Sequence, residues 1–574
     1  MAELLARLRQ RKLVQWALAY IAFAFALLQG IDIVAQRFAW PESIERLLIL
    51  LLALGFFVVL VLAWYHGERG AQKASGTELL ILTVLLAIGG GLLWRFEPAA
   101  PATATSQASM PSTIVSKSVA VLPFVNMSGD PANEYFSDGI TEEILNALAQ
   151  VPDLKVAART SAFAFKGKQE DLRNVGQVLG VAMVLEGSVQ KSGDEVRITA
   201  QLIDTRNGYH LWSEKYDRKL TNIFAVEDEI SGAISNRLNV QWNGTHAAQT
   251  RTLDPRAHDL YLRGLTLFAK RSMPEAVDAF EQGVRLDPGY AQGWASLAES
   301  RAILPTYAQV PMQATNQAAL DAAQRALALD AHLPLPYVAQ GIVFLDQMRW
   351  READAAFRHA LALAPGDAEA MDQYAQFLYA VGQLQPALVE IERSLQHDPL
   401  SGPGGAIRAQ LLYALRRPDA ALVQMQRTLA AHPDGLLEHR VAFWIYVSQR
   451  DYSEAERQLR TAATLAGTDP GVMSSLVRGM ADPASAAASI RTLETSPGLA
   501  TLRHDAVVRA VFLMALDDRE SALAALEDFA GNSSSTTPQL LWYPVLDPLR
   551  TDPRFKAVLK HTGLPYAATA LEPP

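Results

Sequence analysis

Apolar and polar positions follow three different rhythms along this 574-residue chain, and each rhythm predicts a different architecture. Near the start the apolar runs are long and nearly uncharged. Leu47 to Tyr65 is 19 residues without a charge, enough for a helix to cross a hydrocarbon core of about 30 Å. Leu13 to Val34 is a second such run, interrupted by Gln15, Gln29 and Asp32. Thr77 to Trp94 is a third, with Glu78 at one end and the glycines 89–91 near the other. Three transmembrane helices, over 13–34, 47–65 and 77–94, are therefore expected in an N-terminal membrane region of residues 1–96. Asp32, as an ionisable residue in a span, is a functional candidate, but its place near the outer end of the run is expected to let it meet water, and the interfacial, non-functional reading is preferred. Residues 97–118, rich in Pro, Ala, Ser and Thr, cannot bury a core and read as a flexible linker.

The second rhythm runs from Val119 to about Val240. Val119-Ala120-Val121-Leu122-Pro123-Phe124 is a short apolar run, followed by turn chemistry at Asn126 to Pro131 and a helical pattern from Phe136 to Ala149. Ser137 or Asp138 is expected to cap that helix, with Glu142 and Glu143 on the side its dipole favours. A second apolar run (Leu154 to Ala158) and a helix (Leu172 to Leu179) come next. Met183 to Val189 and Val196 to Ile203 then alternate with period two, as half-buried strands do. Lys191 to Glu195 and Thr205 to Gly208 are hairpin turns, Tyr209 to Tyr216 is a further strand, and Ile223 to Leu238 an amphipathic helix. These elements make a compact α+β domain over 119–240.

The run VAVLPFVNMSGDPANEYFSDGITEEILNAL, with ARTSAFAFKGK, LGVAMVLEGSVQKSGDEVRITAQLIDTRNGYHLWSEKYDR and IFAVEDEIS, resembles the TolB amino-terminal-like domain. The version it is similar to occurs in bacterial membrane proteins with tetratricopeptide repeats, including CadC-like regulators and chains labelled adenylate cyclase. RLRQRKLVQWALAYIAFAFALLQ and LLALGFFVVLVLAW likewise resemble the membrane head of such proteins. Cyclase and winged-helix DNA-binding chemistry belong to separate domains in those relatives. The twelve residues before the first apolar run are too few for either.

The third rhythm is a repeat, expected over 253–470. Alanines recur at 276, 319, 353, 387, 421 and 455; the first interval is 43 residues and the next four are 34. Pro288, Pro365, Pro399 and Pro433 follow at a fixed distance. A 34-residue period with A-x3-F and a closing Pro is the tetratricopeptide signature, shown well by Gly264, Ala276 and Phe280 and by Gly341, Ala353 and Phe357. The extra nine residues of the second unit, around Leu304 to Pro311, are expected to lengthen the loop between its helices. Residues 471–574 read as degenerate repeats, with Val507 to Phe529 a helix pair, ending in a cap over the last hydrophobic face. The whole is thus expected to be multidomain: N-terminal transmembrane helices, an α+β TolB-N-like domain and an all-α tetratricopeptide-repeat solenoid.

Charge adds an orientation. Arg7, Arg9, Arg11 and Lys12 precede the first run and Arg69 and Lys73 lie after the second, whereas Glu42 and Glu45 dilute the loop between. The positive-inside rule puts the N-terminus in the cytoplasm. Three spans then place the later domains in the periplasm, as part of a multi-pass protein of the bacterial inner membrane; two spans would leave them cytoplasmic. A net charge of −9 argues against nucleic acid as partner. Zero cysteines exclude disulfides, thiol catalysis and Cys-ligated zinc.

No H-E-x-x-H, Walker or G-x-S-x-G pattern occurs, so no catalytic residue, cofactor or metal site is expected. The carboxylates Asp130, Glu134, Asp138, Glu142 and Glu143 are more simply turn and cap residues than an acid/base pair. What remains is binding, to protein or peptide partners. Placing the repeat family's groove on this chain gives His258, Tyr261 and Phe268 in the first unit and Asp372, Gln376 and Tyr379 in the fourth. The bland alternative is that the aromatics among them pack between helices. The expected function is a non-enzymatic interaction scaffold or assembly factor of the bacterial envelope. The alternative is a signal-transduction subunit that passes a periplasmic ligand's presence to a separate cytoplasmic regulator.

Overall fold

The computed structural model describes residues 115–564, apart from breaks at 152, 221–222, 241–253, 309 and 533–536, together with the single positions 20 and 24. The sheet region opens with β1 (Val115–Val121), β2 (Val125–Asn126), α1 (Glu134–Ala149), β3 (Lys155–Val156), α2 (Arg159–Phe163) and α3 (Leu172–Leu179). It continues with β4 (Val181–Ser192), β5 (Glu195–Asp204), β6 (His210–Lys219) and α4 (Ile223–Arg237). One mixed sheet runs β3-β1-β4-β5-β6, with β2 also on β4. The strands joined by helical crossovers are parallel, with Val119 beside both Val156 and Met183, and the hairpin-linked β4, β5 and β6 are antiparallel.

Alternation along β1 splits the core between two layers. Val119 and Val121 face Phe136, Ile140, Ile144 and Leu148 of α1, with Ile230 and Ile234 of α4 in the same core. Ala120 faces the other way, onto Val175 and Leu179 of α3. Asp171 caps α3 at its start and Gly180, at φ 64°, ends it in the left-handed conformation that glycine adopts without strain. Gly193 and Gly208 take positive φ in the two hairpin turns.

The helical array follows as pairs. They are α5 (Pro255–Ala269) with α6 (Met273–Leu286), α7 (Ala291–Tyr307) with α8 (Met312–Leu329), and α9 (Leu335–Asp346) with α10 (Trp350–Leu363). Then come α11 (Ala368–Ala380) with α12 (Leu384–His397), α13 (Gly402–Ala414) with α14 (Pro418–Ala431), and α15 (Leu436–Ser448) with α16 (Tyr452–Leu465). Next are α17 (Pro470–Ala481) with α18 (Pro483–Thr495) and, after the short α19 (Ala500–His504), α20 (Ala506–Ala515) with α21 (Arg519–Asn532). The tail adds 3-10 turns over Pro538–Trp542 and Pro544–Leu549 and a last helix, α22 (Pro553–His561). Close approach within a pair depends on missing side chains. A Cβ on Gly264 would lie 2.5 Å from the Phe280 ring, and one on Gly341 2.7 Å from that of Phe357. This is a tetratricopeptide-like solenoid beside a small sheet region.

Several expectations are corrected. Among the described residues no helix is long and apolar enough to cross a membrane, so N-terminal transmembrane helices are not part of the observed fold class. Even α7 and α8 reach only 17 and 18 residues, short of the roughly 20 that a span needs. The runs 13–34, 47–65 and 77–94 lie outside the described residues, apart from the helical Tyr20 and Ala24. The linker ends earlier than expected, because residues 115–118 already belong to β1, where the buried Ser118 hydroxyl accepts from the Ala182 amide at 2.8 Å.

Helix α1 starts at Glu134, after a turn capped by Asp130, so neither Ser137 nor Asp138 is a cap. Both are buried within the helix, and Asp138 bonds Lys166 at 2.6 Å. The extra residues of the second repeat extend its helices, α7 continuing through Pro305, instead of making a long loop. The tail is more than an end cap, as the inner surface of the array shows.

Candidate functional site: the inner surface of the array

The first helices of successive pairs pack against one another, forming the layer called the inner surface here, and α5 and α11 carry the six residues singled out in the sequence. On α5, His258 and Tyr261 are buried, and Phe268 is half-buried against the core. Tyr261 is only 4% exposed, because α1 of the sheet domain lies on it. The Tyr261 hydroxyl donates to Glu143 Oε1 at 2.9 Å. Beside it the Tyr135 hydroxyl donates to Asp259 at 2.6 Å, and Lys191 bonds the same carboxylate at 2.8 Å. Contact is tight: a Cβ on Gly139 of α1 would sit 2.7 Å from the Leu262 side chain. His258 Nδ1 lies 3.4 Å from the Tyr290 hydroxyl, and the Tyr290 ring meets Tyr261 edge-on.

The sheet domain touches the array a second time. The Ala158 amide donates to the His397 carbonyl at 2.8 Å, and the Ser161 amide to Asp398 at 2.9 Å. The Leu400 amide in turn donates to the Ser161 hydroxyl. On α11 the cover is the tail. Trp542 Nε1 donates to the Ala380 carbonyl at 2.9 Å, and Gln410 Nε2 to the Tyr543 hydroxyl at 2.7 Å. Arg416 pairs with Asp547, and Trp350 Nε1 donates to the Thr562 carbonyl at 2.8 Å. Gly382, at φ 82°, lets the Trp542 ring in; a Cβ there would lie 2.7 Å from it. Tyr379 is fully buried, its hydroxyl 3.4 Å from the Gln410 carbonyl.

Three of the six residues are thus covered by the chain itself, and Phe268, Asp372 and Gln376 stay half-buried. Asp372 and its neighbours mark what is left open. Glu299 on α7 faces Glu369 and Asp367 at the start of α11, together with Arg271 and Glu142. Arg271, in the turn after α5, faces Glu369, Tyr307, Glu299 and Asp372 in its turn. Glu369 and Arg271 are exposed, so this cluster, the chamber below, reaches the surface. Asp367 spends one oxygen capping α11, accepting from the Glu369 and Ala370 amides. Glu142 is answered by Arg159 at 2.7 Å.

Glu299 is different: it is 5% exposed and its Oε1 has no hydrogen-bond partner. Burial, then the charges of Glu369 and Asp367, push its carboxyl well above the usual range. Burial likewise raises Asp372 to about 8 and Asp367 to about 6. Glu143 goes to about 7, also through burial, with the Tyr261 hydrogen bond pulling the other way. Among the described residues no group of His, Asp or Glu side chains is placed to hold a metal.

The chamber residues Arg271, Glu299, Asp367 and Glu369 escaped the sequence reading. A signal did exist for Glu299. It stands four residues after Ala295 and four before Ile303, both buried, so the helical period puts a charge on a buried stripe.

No family model matches the chain. A protein of Rhizobium meliloti (strain 1021) described as "Putative adenylate cyclase 3" is 46% identical over 187 residues, which is 32% of this chain and 32% of that protein. The chain therefore spans about a third of the length of that curated relative. Among solved structures, TTC0263, a thermophilic TPR protein of Thermus thermophilus, overlaps 32% of this chain and 97% of its own at TM-score 0.29 and 18% identity. YrrB, a TPR protein with an unusual peptide-binding site, overlaps 33% and 93% at TM-score 0.24 and 18% identity. A tetratricopeptide repeat protein from Parabacteroides merdae ATCC 43184 overlaps 54% and 100% at TM-score 0.29 and 13% identity. These likenesses concern the repeat fold alone. None of these relatives is described as a TolB or CadC-like protein.

Proposed function

We propose that the chain is a non-enzymatic interaction scaffold that takes a protein or peptide segment into the open part of its inner surface. The observation that supports this reading is Glu299. A buried carboxyl oxygen without a partner is costly in a closed core, and here it lies among charged groups that reach the surface, on the face that repeat solenoids use for binding. Where Tyr261 and Tyr379 stood as groove residues, the reading moves to Asp372 and Gln376, which keep part of their surface open. The envelope placement expected from the sequence rests on residues 13–94 and does not enter this reading.

Display of random peptides against the full chain tests it. Enriched peptides should bind the purified protein and lose at least tenfold in affinity when Asp372 is changed to Arg, with thermal unfolding still cooperative. Failure to enrich any peptide, or binding indifferent to Asp372→Arg, contradicts the proposal.

A second reading, a subunit of nucleotide signalling, has in its favour the similarity to the Rhizobium protein over 187 residues. It predicts conversion of ATP to cyclic AMP by the purified chain with magnesium. Such turnover would overturn the non-enzymatic reading.

A further inference from the structure

The cluster beside Glu299 selects among ligands by the hydrogen bonds it lacks. Glu299, Asp367, Glu369 and Asp372 supply four carboxyls around Arg271, and Arg440 is a second cation within reach of Tyr307. Arg271 is not spent on the carboxyls. Among the described residues no ion pair joins Arg271 to a carboxylate, and its guanidinium lies instead 5.6 Å from the centre of the Phe268 ring. Asp372 Oδ1, like Glu299 Oε1, lacks a hydrogen-bond partner. A fully ionised anion has no proton to donate to these two oxygens, and a divalent metal would need a converging ligand set that the described residues do not offer. An organic cation meets neither obstacle. It brings several donors on a flexible stem, and the half-buried Phe268 and the 45% exposed Tyr307 offer that stem aromatic walls.

From this we infer that the chamber receives the side chain of a lysine or arginine carried by a bound peptide, with Glu299 as its buried partner and Glu369 and Asp372 as the flanking acceptors. The inference rests on the proposed scaffold function and adds the chemistry of the segment that is bound. A cation placed there answers the buried carboxylate with a charge-assisted hydrogen bond, the arrangement in which a desolvated ion is tolerated. Arginine and lysine differ in geometry but not in sign, so both fall within the class.

The test uses peptides selected by display on the full chain. Enriched sequences should share a lysine or arginine at one position, and changing that residue to glutamine should weaken binding at least tenfold. Glu299→Gln keeps the side chain's shape and should cause a similar loss for the basic peptide. It should cause little for the glutamine version, the non-additivity that marks a direct pair. Glu369→Gln, at an exposed position, gives the same comparison without touching the buried core, and a several-fold loss is expected.

Enriched peptides without a basic residue, or basic peptides indifferent to both variants, would overturn the inference while leaving the scaffold reading in place. An absence of any bound peptide would remove both. Spermidine binding that depends on Glu299, in the absence of peptide binding, would assign the chamber to a free amine and overturn the peptide source.

Discussion

Asp346 ends α9 in a buried site where Asn316 Nδ2 donates to its Oδ2 at 3.4 Å. Burial lifts its carboxyl from 3.8 to about 7, the Asn316 hydrogen bond only partly opposing the shift. The sign of the linkage follows. Below about pH 4 the group is protonated in both states. Between there and about 7 only the folded form keeps its proton, so this group makes stability fall as pH rises, and the loss is complete above 7. The full shift corresponds to roughly 4 kcal/mol as an upper figure. Asp346→Asn should therefore stabilise the protein at pH 8, by up to that amount, and hardly at pH 4. Thermal melts at the two values check this, and an equal gain at both contradicts it.

Gly341 makes a second residue-scale case. A methyl group there meets the buried Phe357 ring at 2.7 Å, whereas one on Gly531 meets nothing within 4 Å. Gly341→Ala should cost about 1–2 kcal/mol despite its better helix propensity. Gly531→Ala should be neutral or gain up to about 1 kcal/mol in the same melts. The pairing of Gly341 with Phe357 was readable in the sequence because glycine and phenylalanine recur in step with the repeat. Tyr261 was readable as an aromatic on an inner helix, but not its partner: Glu143 lies 118 positions earlier, on another domain.

At the scale of elements, local rhythm predicts local structure. Leu172–Leu179 emerges as α3 with the limits that Asp171 and Gly180 set. Strand β5 buries alternate residues from Val196 to Leu202, whereas β4, in the middle of the sheet, buries neighbours such as Val184 and Leu185 together and departs from the expected alternation. Rhythm fails where a segment's neighbours are remote in sequence. The tail reads as a cap on the last repeat, yet Trp542 reaches Ala380, 162 positions earlier, and Trp350 meets Thr562 across 212. No period announces such a return, because the apolar residues at 540–549 show only that something is buried. Trp542→Ala should empty the space beside Gly382 and cost about 3–5 kcal/mol. It should also raise the accessibility of Tyr379, measured as faster labelling of that tyrosine by tetranitromethane. A variant as stable as the parent would show that the tail contributes little.

Across the described part of the molecule, the sheet domain and the tail divide the solenoid's inner surface between them. Helix α1 covers α5, and the segment from Pro538 onward covers the end of α11. The chamber between them is lined by charged residues that neither covers. The candidate groove was legible as a place on the first helices of the repeats, through the 34-residue period. Which residues of it stay open depends on the docking of two remote segments, and this the sequence pattern does not carry. The account therefore stands on one surface: a bound peptide should lie against α7 and the first turns of α11.

Hydrogen–deuterium exchange of the full chain, with and without a display-selected peptide, tests that most directly. The account predicts new protection in α7 around Glu299 and in α11 from Ala368 to Gln376, with little change in α8 and α12 on the outer side. Protection confined to those outer helices, or to the exposed edge of β6, would contradict it.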